Sequence, residues 1–468
     1  MAILHGLSPA PVDRCRVLEV ACGDGANLIP MAYAIPGSEF VGFDLAQLPI
    51  ERGQARIGEL GLKNVRLFVG DLLEVGEELG SFDYIIAHGL YAWAPDNVRD
   101  RLLELGGALL SGNGVAFVSY NAKPGGYLRT MLRDMMLFGT NSIDDPIQRV
   151  AEGFRFLRFV AGSRPKDDVY RQLIESQLVG MEKRAAAVTS HDELSSNYQP
   201  ASFFEFVAHA QRHGLAYLCE ASLPPPTDPG YSAEIHSALE NVGGGDLLRQ
   251  EQLLDFVRMR MYRETLLCKA GRALRRDFPA EYLRRLLFAS QATPVPGEAP
   301  GSTAFVLPGG VVKMESNHPA VTALLLELGR AWPRALCFEA LEPHLAANGL
   351  TLDGQGAALL IRLAIAKIIE FRTWNAPLAS AIPERPRASA CSRQEAVAHA
   401  LVTSLLHRTV GLEDEKLRNL LRLLDGTRNR AELLAAMQVE FPDSPLVELE
   451  EGLDPSLRIL HTAGLLEA

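Results

Sequence analysis

Three acidic residues in the first part of this 468-residue chain are spaced as a nucleoside site would need them. Glu19 precedes a glycine turn at Gly23 and Gly25, Asp44 follows the next apolar run, and Asp71 follows the one after. A glycine turn lets the backbone approach a ligand closely before a helix begins. A carboxylate about twenty residues further on can accept both hydroxyls of a ribose. Asp71 is placed to meet an adenine amino group. Gly-x-Gly alone is weak, and its bland reading is a structural turn with solvated acids; acids at three successive strand ends are the stronger pattern. Leu28 stands where a dinucleotide site wants a third glycine, which argues against a pyrophosphate at the helix N-terminus. Glu19 would repel a pyrophosphate but suits an ammonium group. The ligand with an adenosine and a positively charged amino acid is S-adenosylmethionine (AdoMet), and the expected cofactor-binding residues are Glu19, Gly23, Gly25, Asp44, Asp71 and His88.

Methyl transfer from a sulfonium needs alignment and a free lone pair on the acceptor more than a catalytic triad. The segments that should lie beside the sulfonium are His88-Gly-Leu-Tyr91-Ala-Trp93 and Tyr120-Asn121. Aromatic faces hold a sulfonium or alkylammonium by about 0.5–2 kcal/mol each, so Tyr91 and Trp93 are expected to bind substrate. For a lysine acceptor, deprotonation at neutral pH costs roughly 4–5 kcal/mol, which an apolar aromatic channel would lower. His88, Tyr91 and Tyr120 are the candidate proton carriers, and Asn121 the group that orients the amine. The structural alternative is that Tyr91 and Trp93 pack the cap of the sheet. His209 and His213 lie one turn apart on a helix that Ser202 and Glu205 can open as a capping box, but the sequence offers no third ligand and no metal is expected. No His-Glu-x-x-His, Walker loop or Gly-x-Ser-x-Gly occurs.

The elements that must position these residues follow from alternating apolar runs and amphipathic stretches. Strands are predicted at Arg16–Val20, Glu39–Phe43, Val65–Val69, Asp83–Ala87 and Gly114–Ser119, with helices from Ala26, from Gln47 to Gly61 and from Asp96, which can cap its helix. That pattern is a Rossmann-like, doubly wound α/β sheet, whose ligands bind at the carboxyl ends of the strands. A further helix runs from Gly125 to Phe138, and Ile147–Val188 reads as two helices inserted before the last strands, Leu215–Cys219 and Thr265–Lys269, with the Pro224–Pro229 loop between those strands. Beyond Gly271, Leu286–Val295 and Thr303–Met314 read as strands, the second broken into a hairpin at Pro308-Gly309-Gly310. Helices at 319–331, 338–348 and 356–369 and a strand at 370–374 suggest a small winged-helix module. After a Pro- and Ala-rich linker, 376–392, helices at 394–406, 414–424, 430–440 and 455–465 suggest a second.

A chain this long exceeds a single core, and 47% hydrophobic with 22% charged residues fits a globular protein. A net charge of −11 is the wrong sign for holding phosphate backbones, so no nucleic-acid partner is expected, although Arg418, Arg422, Arg428 and Arg430 sit in the second module. Six scattered cysteines, no export signal and no long apolar run point to a cytoplasmic protein without a membrane span.

The motifs Arg16-Val-Leu-Glu-Val-Ala-Cys-Gly-Asp-Gly25, His88-Gly-Leu-Tyr-Ala-Trp-Ala-Pro95, Val118-Ser-Tyr-Asn121, Leu132-Arg-Asp-Met-Met136, His191-Asp-Glu-Leu194 and His213-Gly-Leu-Ala-Tyr217 resemble bacterial class I methyltransferases with a methyltransferase regulatory domain. That group includes rickettsial protein lysine methyltransferases acting on outer-membrane proteins. The resemblance covers most of residues 10–270 and, more loosely, the remainder. It implies AdoMet-dependent methylation of a protein acceptor, lysine in a cell-envelope protein, with 1–271 as the methyltransferase domain, 140–222 as its helical regulatory insertion, and 272–376 and 393–468 as the two modules. The modules are expected to dock protein or pair the chain as a homodimer. Two departures qualify this. Such proteins carry a further segment ahead of the first strand, where this chain has only about a dozen residues, so a shortened cover over the cofactor is expected. The segment after Asn121 reads Ala-Lys-Pro-Gly-Gly-Tyr, where relatives carry an aromatic near Pro-Gly, so acceptor choice is expected to differ. The alternatives are a small-molecule methyltransferase and an inactive AdoMet-binding regulatory protein.

Overall fold

The computed structural model describes residues 1–184, 186–195, 197–223, 233–308, 310, 313–351 and 355–468. Five parallel strands form as the apolar runs dictate: β1 (Arg16–Val20), β2 (Glu39–Asp44), β3 (Val65–Val69), β4 (Phe82–Ala87) and β5 (Leu110–Asn121). Two later strands, β6 (Leu215–Glu220) and β7 (Tyr262–Lys269), complete the sheet in the order β3-β2-β1-β4-β5-β7-β6, with β7 antiparallel to both neighbours.

The helices are α1 (Leu28–Ala34), α2 (Gln47–Leu60), α3 (Asp96–Leu109), α4 (Gly126–Gly139), α5 (Pro146–Gly162), α6 (Val169–Met181), α7 (Ala186–Leu194), α8 (Phe203–Arg212), α9 (Ala233–Gly243) and α10 (Leu247–Arg258). Strand alternation sends Leu18, Val20, Ile85 and Ala87 to one face, where they pack under α3 and α8. Val17, Phe40 and Leu67 turn to the other face, under α1 and α2. The inserted α4–α7 bury a separate core around Leu132, Met136, Leu157 and Ile174. The two helices expected between 147 and 188 are α5 and α6, the second capped by Asp168, which accepts from the Tyr170 and Arg171 N–H groups; α7 follows from Ala186. The capping box of Ser202 and Glu205 forms, whereas Asp96 lies in the first turn of α3 behind Pro95 and does not cap it.

Past the sheet, Leu286–Val295 is two strands instead of one, Leu287–Ala289 and Thr293–Pro296, which join different three-stranded sheets. The break falls where the Ser290 hydroxyl leaves the ladder and donates to the Ile368 carbonyl at 2.7 Å. Thr303–Val306 and Lys313–Ser316 pair antiparallel; Gly309 of the expected hairpin turn, like the Pro224–Pro229 loop, lies outside the described residues. Helices Pro319–Ala331, Phe338–Ala346 and Ala357–Ile365 close this middle module around Leu324, Phe338 and Leu360.

The tail module has helix Ala390–Ala398, a hairpin of Leu401–Thr403 and Thr409–Gly411, and helices Glu415–Leu423, Arg430–Glu440 and Leu446–Thr462. A helix through Leu406 was expected; the chain leaves it at His399 and forms the hairpin. Pro455, read as a helix start, sits inside the last helix. The module packs against α1 and α2: Cys391 is buried with Cys22 and Leu28, and Arg56 pairs with Glu395 at 2.6 Å. Among the described residues no helix is long and apolar enough to cross a membrane.

Candidate functional site

Between β1 and α1 the backbone passes through Ala21, Gly23 and Gly25 with φ of 57°, 57° and 74°. A Cβ at Gly25 would lie 2.7 Å from a Leu67 methyl, so only glycine fits that turn, whereas Gly23 has open space beside it. The Gly23 N–H donates to Asp44 Oδ2 at 2.9 Å and the Ala46 N–H to Asp44 Oδ1 at 2.8 Å. Each carboxylate oxygen retains a free lone pair in a fixed orientation. Asp71 is fixed in the same way by the Leu73 N–H at 2.9 Å. Gly23, Asp44 and Asp71 thus stand at the carboxyl ends of three adjacent strands.

Glu19 is 5% exposed. Its Oε1 accepts from Asn27 Nδ2 at 2.9 Å, and its Oε2 is buried with no partner among the described residues. Burial pushes the carboxyl up to about 7, against the pull of the Asn27 hydrogen bond. A buried carboxylate oxygen without a donor costs stability, and an ammonium group would remove that cost. Glu19 lines a cavity of about 670 Å³ together with Asn27, His88, Tyr84, Ile86 and Phe117. The residues present therefore fit AdoMet: acids for the ribose and adenine, a bare glycine turn, and an orphaned oxygen for the amino group.

His88 follows β4, is exposed, and lies with Nδ1 3.1 Å from Ser119 Oγ, which also accepts the Gly89 N–H at 2.9 Å. Across the ladder Asn121 pairs with Tyr262, which is 40% exposed; burial raises its hydroxyl pKa against the pull of Ser119. His88, Ser119, Asn121 and Tyr262 are brought together at the ends of β4, β5 and β7.

Tyr91, Trp93 and Tyr120 are placed otherwise than expected. Tyr120 is 1% exposed and stacked on Phe206 at 4.2 Å, in the core under α8. Tyr91 packs edge-on to the same Phe206 at 5.0 Å, carries Arg99 over its ring, and meets His209 Nδ1 through its hydroxyl at 2.9 Å. Burial raises both hydroxyls, Tyr91 to about 12, the wrong direction for a proton carrier at neutral pH. Trp93 does use its ring for cation–π contact, but the cations are Arg129 and Arg133 of α4, at 4.8 and 5.1 Å. His209 and His213 find a third group the sequence did not suggest: Asp100 Oδ1 accepts from both Nε2 atoms, at 3.0 and 2.9 Å, on the outer side of α3 and α8.

Sequence reasoning missed Asn27, Ser119 and Tyr262. Asn27 stands in the glycine turn itself and Ser119 beside Tyr120, so position offered a signal; Tyr262 opens β7 only after α9 and α10 have intervened, and offered none.

Residues 17–114 match the family model described as methyltransferase domain, 186–269 that described as predicted methyltransferase regulatory domain, and 384–452 that described as PKMT, C-terminal winged helix domain. An uncharacterised Rickettsia prowazekii protein is 31% identical over 61% of this chain and 51% of its own length. A second from the same organism is 32% identical over 46% of this chain and 86% of its own length. The chain belongs to the bacterial class I methyltransferases with a methyltransferase regulatory domain. It spans about half the length of the first of these curated relatives. Its fold is that of PKMT2 from Rickettsia typhi, at 24% identity, covering 99% of this chain and 96% of that one with a TM-score of 0.88. The same protein in complex with AdoHcy superposes with a TM-score of 0.87. The regulatory-domain match begins in α7 and runs through β6, α8–α10 and β7, overlapping the expected 140–222 insertion only from residue 186.

Proposed function

We propose that this chain is an AdoMet-dependent methyltransferase that transfers methyl groups to lysine side chains of a protein acceptor. The observation that carries the cofactor is the orphaned Glu19 oxygen beside the Asp44 and Asp71 strand ends. AdoMet would supply an activated methyl group. Glu19 holds its ammonium, Asp44 its ribose hydroxyls and Asp71 its adenine amino group, with the Gly23 backbone in close approach. His88, Asn121 and Tyr262 face the side where an acceptor amine would enter; Asn121 orients the amine and His88 takes or relays its proton. The protein acceptor is supported by the tail module's match to a PKMT winged helix domain and by the fold of PKMT2. As finer elements of the same proposal, the acceptor is a cell-envelope protein, met in the cytoplasm, and the chain works as a homodimer.

A small-molecule acceptor is the second reading, favoured by the cavity of about 670 Å³ beside Glu19, whose walls at Val17, Ile86, Phe117 and Leu266 are apolar. Calorimetric titration with AdoHcy tests the cofactor assignment. Wild type should bind, and Asp44→Ala should weaken binding about a hundredfold by removing hydrogen bonds from a charged acceptor. Unchanged affinity in that variant would remove Asp44 from the site.

A further inference from the structure

We propose that His407, at the tip of the tail module's hairpin, is a positioning residue of the cofactor site, holding Asn27 in the amide orientation that serves Glu19. The proposal rests on the AdoMet reading above. His407 Nε2 lies 2.7 Å from Asn27 Oδ1, and Asn27 Nδ2 lies 2.9 Å from Glu19 Oε1. The direction of the relay follows from donor chemistry. The ionised carboxylate that an ammonium ligand requires only accepts, so Asn27 turns its NH2 to Glu19, its carbonyl is left for His407, and the His407 Nε2 carries the hydrogen. Rotating the amide by half a turn would set oxygen against oxygen at Glu19.

The hairpin is built to deliver that nitrogen. The turn is closed by Ser404 N–H to the Arg408 carbonyl at 2.9 Å and His407 N–H to the Ser404 carbonyl at 2.8 Å. His407 has φ of +56°, a left-handed conformation that a side chain rarely adopts and that here swings the imidazole toward α1. Beside it Leu405 is buried with Ala34, at the C-terminal end of α1. Arg408 pairs with Glu370 of the middle module, so the hairpin is tied on its far side as well. The tail module is thereby part of the cofactor site: α1 lies between the sheet and this hairpin, and its N-terminal Asn27 is answered from both.

The test is AdoHcy titration of the full chain carrying His407→Leu, His407→Gln, Asn27→Ala, or His407→Leu with Asn27→Ala, with thermal melting of each. His407→Leu should raise the AdoHcy Kd about three- to tenfold, the effect of one lost hydrogen bond, without moving the melting temperature of the sheet domain. Gln can donate to the same oxygen and should restore affinity to within about twofold. In the Asn27→Ala background the Leu substitution should add nothing, because the relay is already broken. Wild type failing to bind AdoHcy would defeat the AdoMet reading itself. Wild type binding with His407→Leu equal to it, or Gln as weak as Leu, or effects of the two sites adding in full, would overturn the role of His407 and leave that reading intact. Should the Leu variant not fold, His407→Ala takes its place in both backgrounds, with the same expected and contrary results.

Discussion

Two buried carboxylate sites lie on the same sheet, and they differ in whether every oxygen has a partner. At the β6–β7 edge, Asp255 takes Arg263 through both oxygens at 2.8 and 2.9 Å, and Glu220 takes it at 2.7 Å. Arg263 is fully buried over the Phe203 ring; burial works against its charge, but Glu220 and Asp255 hold its pKa above the ordinary range. At the β1 end, Glu19 is equally enclosed, yet one oxygen meets no donor among the described residues and its pKa rises toward neutrality. The first arrangement locks α10, β6 and β7 together. The second leaves a charge uncompensated at a cavity wall, which is how a fold keeps a place for a cationic ligand.

Breaking the first site should be the most costly change. Arg263→Ala leaves Asp255 with Arg260 alone and takes from Glu220 its 2.7 Å partner, and should lower unfolding stability by about 3 kcal/mol in denaturant titration. Glu19→Gln should act in the opposite sense: stability equal to wild type or higher at pH 8, and AdoHcy affinity lower by about ten- to a hundredfold. A loss of stability in that variant would make Glu19 structural, like Asp255.

The comparison sharpens with pH. With its carboxyl raised from 4.5 to about 7, folded Glu19 keeps a proton that the unfolded chain has lost, so its contribution is present below 4.5 and falls away as pH rises to 7. That contribution is on the order of 3 kcal/mol. Ligand binding runs the other way: AdoHcy affinity should drop toward tenfold per pH unit below about 7, level off above it, and lose this slope in Glu19→Gln. The smallest effect is expected at Trp93, whose ring is held by Arg129 and Arg133. Trp93→Leu should cost about 1–2 kcal/mol of stability and leave AdoHcy binding unchanged, where a substrate cage would have lost acceptor turnover without loss of stability.

What could be read in the chain follows from how local each signal is. Glycine turn, acid and strand end lie within ten residues of one another at Glu19–Gly25, so both the sheet and the proposed cofactor cleft are legible there. Tyr91 follows a strand and Tyr120 lies at the end of one, but whether they face ligand or core is decided by Phe206 of α8, more than eighty residues away, and no periodicity near them carries that information. Trp93 depends in the same way on Arg129 and Arg133. The tail hairpin is the extreme case. A helix was the natural reading of 394–406, and a residue 380 positions from Asn27 gave no hint that it meets the first helix of the sheet. The tail module, read as a docking appendage, is by Cys391, Glu395 and His407 packed onto α1, α2 and the turn before them.

The most direct measurement is transfer of labelled methyl from AdoMet by the full-length chain into a bacterial lysate, separated into protein and small-molecule fractions and hydrolysed, with Glu19→Gln as blank. Label recovered as methylated lysine in the protein fraction, and strongly reduced with the variant, is the expected result. Label confined to small molecules, or equal transfer by Glu19→Gln, would contradict a protein lysine methyltransferase whose cofactor is held by that carboxylate.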